Sequence, residues 1–151
     1  MSSPFEFRLR VRYGECDAQQ VVFNARYADY ADLAVTEYLR CLFGGVKALL
    51  AQNLDTQVVR FAIDWRAPAR FDDVVVLQIT PAKVGNTSFS LHIRYAQAQD
   101  DKALAQAELV YVMVHAQSHQ KVTLSDEFKR RLTGGAPGVR VDQASCFEAK
   151  T

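Results

Sequence analysis

Residues 5 to 13 alternate apolar and polar without a break: Phe5, Phe7, Leu9, Val11 and Tyr13 fall on one face, Glu6, Arg8, Arg10 and Arg12 on the other. A period of two predicts a half-buried strand with its aromatic side toward a core. From Tyr27 the period changes. Tyr27, Tyr30, Ala31, Ala34, Tyr38, Cys41 and Leu42 recur at helical spacing, and Asp29, Asp32, Glu37 and Arg40 lie largely off that stripe. Gly44-Gly45 supplies a left-handed stop, so the helix covers roughly 18 residues, about 27 Å at the usual rise. Small alanines among large tyrosines suit close packing on a sheet. Val46 to Gln52 reads as a short second helix.

From Thr56 the period is two again. Val59, Phe61, Ile63 and Trp65 alternate with Arg60, Ala62, Asp64 and Arg66, and Pro68 ends the run. Val74 to Lys83 is rich in β-branched residues, and Gly85-Asn86 marks a hairpin because both residues tolerate positive φ. Phe89, Leu91, Ile93 and Tyr95 alternate with Ser90, His92 and Arg94; Asp100-Asp101 turns the chain; Leu104 to His115 is the last strand. Ser125 N-caps a final helix with Asp126-Glu127 in its first turn, Phe128 and Leu132 on its apolar side and Gly134-Gly135 at its end. Strand, long helix, then four strands joined mainly by short turns predicts an α+β fold, one antiparallel sheet packed on a long central helix. No βαβ alternation supports a doubly wound parallel sheet. Residues 1–133 form one domain, and 134–151, broken by Gly and Pro, a loosely held tail.

With 49% of positions apolar and 23% charged, 151 residues suffice for one domain with a real core. A net charge of +1 without a clustered basic face argues against a general nucleic-acid binder. Met1 to Arg8 holds no signal-peptide pattern, and nowhere do about eighteen apolar residues run together, so the sequence reads as soluble and cytoplasmic with no membrane span. Cys16, Cys41 and Cys146 are far apart without a CxxC pair, which indicates free thiols in a reducing compartment. His92, His115 and His119 have no second ligand at metal spacing, so no metal is expected.

The chemistry concentrates between Arg12 and Tyr27, where the first strand gives way to an acidic loop and the loop to the long helix. First-turn N–H groups have no partner inside their own helix and carry the positive end of its dipole, so they favour negative charge developing beside them. A carbonyl under attack develops such charge. Taken singly, Asp17 reads as a turn aspartate that caps local amides, Asn24 as an N-cap that fixes the helix-start amides, and Glu15 as a carboxylate that either supports the site from behind or, the favoured reading, is simply solvated. Cys16 reads as a small buried loop residue, since no histidine pairs with it. The tyrosine stripe reads as core, with Tyr27, one turn into the helix, the member placed to line a site.

Two blocks in this order resemble the hotdog-fold acyl-CoA thioesterases of the 4-hydroxybenzoyl-CoA thioesterase type. One is Arg12-Tyr13-Gly14-Glu15-Cys16-Asp17-Ala18-Gln19-Gln20-Val21-Val22-Phe23 followed by Tyr27; the other is Ile63-Asp64-Trp65-Arg66-Ala67-Pro68-Ala69-Arg70-Phe71-Asp72-Asp73. The resemblance covers residues 7 to 132. It implies a sheet wrapped around the helix, two subunits paired edge to edge into a dimer or a dimer of dimers, and hydrolysis of CoA thioesters at the subunit boundary. Asp17 matches that family's catalytic carboxylate, acting as nucleophile or as general base; the amides of Phe23, Asn24 and Ala25 supply the oxyanion site; Gln20, Val22 and Tyr27 line the substrate pocket. The family usually has Gly where Gln20 stands and His or Tyr where Asn24 stands. CoA is then part of the substrate, and no cofactor is implied; Arg60, Arg66, Arg70, Lys83 and Arg94 are the cations available to its phosphates. The alternative is a non-catalytic acyl-CoA binding or regulatory module of the same fold. A hydratase of this fold needs a histidine beside an acid, and no histidine lies in the helix or its loop.

Overall fold

The computed structural model describes residues 3–145, so Cys146 and the end of the expected tail lie outside the described residues. The first alternating run forms β1 (Phe5–Arg10), with Phe5, Phe7 and Leu9 buried as its period requires. The strand stops earlier than the alternation predicts. Val11 still exchanges bonds with the loop at Asp72 and Asp73, but the chain then tightens into a single 3₁₀ turn, Tyr13–Glu15, which swings Tyr13 off the buried face to 83% exposure.

The helical stripe forms α1 (Arg26–Phe43), 18 residues long and ended by Gly44 at φ 84°. Its N-cap is Ala25, whose methyl side chain makes no capping bond; the expected cap, Asn24, contributes only its carbonyl, which accepts from the Tyr27 N–H at 3.3 Å. After α2 (Val46–Leu50) come β2 (Leu54–Trp65), β3 (Val74–Val84), β4 (Ser88–Gln97) and β5 (Ala103–His115), then α3 (Asp126–Gly134), capped by the Ser125 hydroxyl as expected, and β6 (Arg140–Asp142). The β3–β4 hairpin falls where Gly85-Asn86 predicts, but neither residue has positive φ. The loop carbonyls of Asn86 and Thr87 accept from Leu124 and Met113, and those bonds hold the turn in an ordinary conformation.

The six strands form one sheet in the order β2-β5-β4-β3-β1-β6, antiparallel except for β1 and β6. Its inner face (Phe7, Leu77, Ile93, Tyr95, Ala105) closes on the α1 stripe of Tyr27, Tyr30, Ala34 and Tyr38 in one core. Each fully buried Leu or Phe there stabilises by roughly 1.5–3 kcal/mol. This is the hotdog arrangement. β6 corrects the expectation of a loose tail. Three residues carry no readable period, yet they pair with β1 from Glu6↔Arg140 to Arg8↔Asp142, with an Arg140–Glu6 ion pair at 3.1 Å. Beyond them the Gln143 N–H donates to the Arg8 carbonyl and Arg10 donates to the Ala144 carbonyl. No helix among the described residues is long and apolar enough to cross a membrane.

Candidate active site

Asp17 opens a tight hairpin. Its N–H donates to the Val21 carbonyl at 2.9 Å, its carbonyl accepts from the Gln20 N–H at 2.9 Å, and Cys16 bridges Val22 across the base. A turn followed by one residue in the left-handed region is a common three-residue hairpin. Here that residue is Gln20, at φ 64°, a conformation that costs a side-chain-bearing residue about 1 kcal/mol and glycine almost nothing. The Asp17 Oδ1 accepts from the Gln19 N–H at 2.8 Å, the local bond typical of a turn aspartate. Its Oδ2 has no hydrogen-bond donor among the described residues.

The Asp17 side chain borders a cleft of about 440 Å³ whose other walls are Tyr13, Cys16, Gln20, Arg70 and Phe71. The Tyr13 and Phe71 rings meet edge to face, 5.8 Å between centroids, and both are exposed. Beside it, the Val22 N–H donates to the Ala69 carbonyl at 2.8 Å and Val21 bridges Arg70. A second cleft, of about 270 Å³, has Val21, Val22, Asn24, Tyr27, Trp65 and Arg66 among its walls, so the bridge joins a wall residue of one cleft to a wall residue of the other. Asp17 and Gln20 therefore share one cleft, and Val22, Asn24 and Tyr27 share its neighbour. Tyr27 is almost wholly core: its hydroxyl accepts from the Ala69 N–H at 3.2 Å, its carbonyl accepts from the Tyr95 hydroxyl at 2.7 Å, and only 2% of it is exposed.

The start of α1 settles which amides are available. Arg26, Tyr27 and Ala28 donate to the carbonyls of Phe23, Asn24 and Ala25 in a tightened first turn, and the Phe23 N–H donates to the Glu15 carbonyl at 2.9 Å. Phe23 is thus removed from the expected oxyanion set. The N–H groups of Asn24 and Ala25 have no acceptor among the described residues, and they stand at the positive end of an 18-residue helix.

Glu15, expected to be solvated, is 6% exposed. Its Oε1 accepts from the Arg12 N–H at 2.8 Å and the Tyr30 hydroxyl at 2.9 Å; its Oε2 accepts from the Arg12 Nε at 3.1 Å and Nη2 at 2.8 Å. Burial pushes the carboxyl up, but the bonds from Arg12 and Tyr30 outweigh it and hold the group below its ordinary 4.5. Burial and the bond to Glu15 push the Tyr30 hydroxyl far up. The signal for this was in the sequence: Arg12 stands three residues before Glu15, and Tyr30, on the buried stripe, carries a hydroxyl that needs a partner. Tyr13 and Phe71 as cleft walls had no such signal, because their exposure depends on turns.

Of the candidate cations, Arg60 pairs with Glu108 at 3.3 Å and Arg94 with Asp101 at 2.8 Å, whereas Arg66, Arg70 and Lys83 have no ion-pair partner among the described residues; Arg70 lines the Asp17 cleft, Arg66 the Asn24 cleft, and Lys83 a different one with Ser88 and Val110. No group of three metal-ligating side chains converges among the described residues.

Residues 19–104 match the model of the thioesterase superfamily. The chain is 32% identical over 110 residues to an acyl-CoA thioester hydrolase, YbgC, of Escherichia coli, covering 73% of this chain and 81% of that one. It is 36% identical over 85 residues to an acyl-CoA thioesterase, also YbgC, of Haemophilus influenzae, covering 56% and 62%. In structure it is similar to a 1,4-dihydroxy-2-naphthoyl-CoA thioesterase of Synechocystis, with a TM-score of 0.77 at 18% identity over 86% of this chain and 96% of that one. The sheet wrapped around the helix and these matches agree: the chain has the hotdog fold and belongs to the thioesterase superfamily.

Proposed function

We propose that the chain hydrolyses acyl-CoA thioesters to free acid and CoA, with Asp17 supplying the carboxylate and the Asn24 and Ala25 N–H groups holding the carbonyl oxygen. One observation carries this: a cleft-wall carboxylate with one unpartnered oxygen lies a short loop away from two helix-start donors without acceptors. As nucleophile, Asp17 bonds to the acyl carbon, CoA leaves as thiolate, and water cleaves the mixed anhydride. As base, Asp17 takes a proton from water while the water oxygen bonds to the acyl carbon, and that proton leaves on the CoA sulfur. Both routes place negative charge on the carbonyl oxygen, where preorganised N–H donors act most strongly.

CoA as the carrier is supported by the two relatives named as acyl-CoA enzymes. Their positions on the walls of the two clefts support Arg66 and Arg70 as the cations that meet its phosphates. Assembly from two copies along β2 is supported by that strand's position at the sheet edge and by Val58 and Val59, which are 51% and 59% exposed at a bulge between Val58 and Arg60. Free Cys16 and Cys41 support a reducing cytoplasm.

The test is thiol release from a panel of short, long and aromatic acyl-CoAs. Asp17→Asn is expected to lower kcat by about 100-fold or more, the contribution of a positioned acid–base or nucleophilic group. Saturable acyl-CoA binding without thiol release by the wild type would favour the non-catalytic module instead.

A further inference from the structure

We infer that Glu15 is a positioning residue: its buried carboxylate fastens the Asp17 hairpin to the first turns of α1 and so sets where Asp17 stands relative to the Asn24 and Ala25 donors. The inference rests on the role proposed for Asp17. Three segments converge on this one side chain and its carbonyl. The Arg12 main chain and guanidinium come from the start of the 3₁₀ turn just past β1, the Tyr30 hydroxyl from the second turn of α1, and the Phe23 N–H from the residue just before the free donors. Phe23 and Tyr30 bracket Asn24 and Ala25, so Glu15 grips the helix start on both sides of the oxyanion donors. One residue further, Cys16 begins the hairpin whose next member is Asp17.

A lock that served folding alone would not need a charge. Burying a carboxylate is costly, and an apolar side chain of similar size can join packed segments without that cost. Four accepted bonds of 2.8–3.1 Å give what packing does not, a direction: each weakens steeply when its donor moves out of line. The carboxylate makes no hydrogen bond to the cleft walls Arg70 and Phe71; the walls Tyr13 and Cys16 adjoin it on the 3₁₀ turn, and the Arg12–Glu15 bonds that cap that turn remain when only the Tyr30 hydroxyl is removed. Misplacement of a reacting group by about 1 Å costs up to roughly 100-fold in rate.

The test measures kcat and KM for thiol release with the acyl-CoA that the wild type turns over best, beside melting temperature, for Tyr30→Phe, Glu15→Gln, Glu15→Ala and Asp17→Asn. Tyr30→Phe cuts only the tether to α1 and is expected to lower kcat roughly 10-fold with KM within about twofold of wild type. Glu15→Gln, which keeps an acceptor for Arg12 and Tyr30, should retain more turnover than Glu15→Ala. If both Glu15 variants fail to fold, Tyr30→Phe decides. Unchanged kcat in folded Tyr30→Phe, or a raised KM with kcat unchanged, overturns the inference, and a collapse of kcat in Asp17→Asn alone would then leave the hydrolase reading standing. Wild-type turnover in Asp17→Asn removes the carboxylate reading and the inference with it.

Discussion

The two clefts beside the Val21–Arg70 bridge are built differently. The Asp17 cleft is walled by side chains on turns: Tyr13 on a 3₁₀ turn, Gln20 in the left-handed region, Arg70 and Phe71 on the β2–β3 connection. The Asn24 cleft also has walls on that connection, Arg66 and Pro68, but adds two buried ones, Val22 and Tyr27, tied to Ala69 and Tyr95. The carboxylate is therefore placed by local hydrogen bonds, and the donors are placed by the core. A substitution at the hairpin alters chemistry with little effect on folding; one in the core beneath the helix start alters both.

Ala25→Pro sharpens that contrast most. Ala25 stands at φ −65° and ψ −23°, which a proline ring fits, so the change deletes one N–H while the helix keeps its start. Loss of one oxyanion donor costs about 3 kcal/mol, so kcat should fall by about 100-fold or more while the melting temperature stays near wild type. Next in size is Glu15→Gln, which removes a buried charged acceptor and should cost about 2 kcal/mol in urea unfolding at neutral pH. Because folding lowers the Glu15 pKa, its stabilisation is present above the ordinary value of 4.5 and disappears as the pH falls through the folded value. Unfolding curves of wild type and Glu15→Gln should therefore converge in acid; a constant gap would show that the charge contributes nothing. The smallest effect expected is a gain. Gln20→Gly relieves the left-handed residue and, after glycine's own entropy cost, should stabilise by about 0.5 kcal/mol. A loss of stability instead would show that the Gln20 side chain holds the hairpin.

Legibility in the sequence followed the range of the interactions. The alternations of β1 and β4, the length of α1 and its stop at Gly44 rest on neighbours a few positions apart and match the structure. The same holds for the Ser125 cap. On β2, by contrast, the expected apolar face leaves Val59 and Trp65 59% and 46% exposed, because that strand lies at the sheet edge. β6 is too short to show a period and exists because β1 offers an edge. Glu15 is buried because Tyr30, a helix turn and a loop away, turns its hydroxyl toward it. Tyr13 continues the alternation in sequence and leaves it in space, since a 3₁₀ turn breaks the strand just before it. Around the candidate site, the lining of a cleft by Asp17 follows from a turn that the sequence shows, whereas the Val21–Arg70 bridge and the bond from the Phe23 N–H to Glu15 are main-chain bonds that no side-chain pattern encodes.

The pairing of β6 with β1 also brings the two ends of the described chain to one corner, where the Gly138 N–H donates to the Ser3 carbonyl at 2.7 Å and the Glu6 N–H to that of Val139 at 2.9 Å. Ends stitched together in this way fray together. Peeling β6 away bares one margin of the first strand, so a probe at Ser3 or at Asp142 would register the same local opening. A circularly permuted gene that joins these ends through a short linker, with new termini cut into a surface turn elsewhere, would preserve the seam.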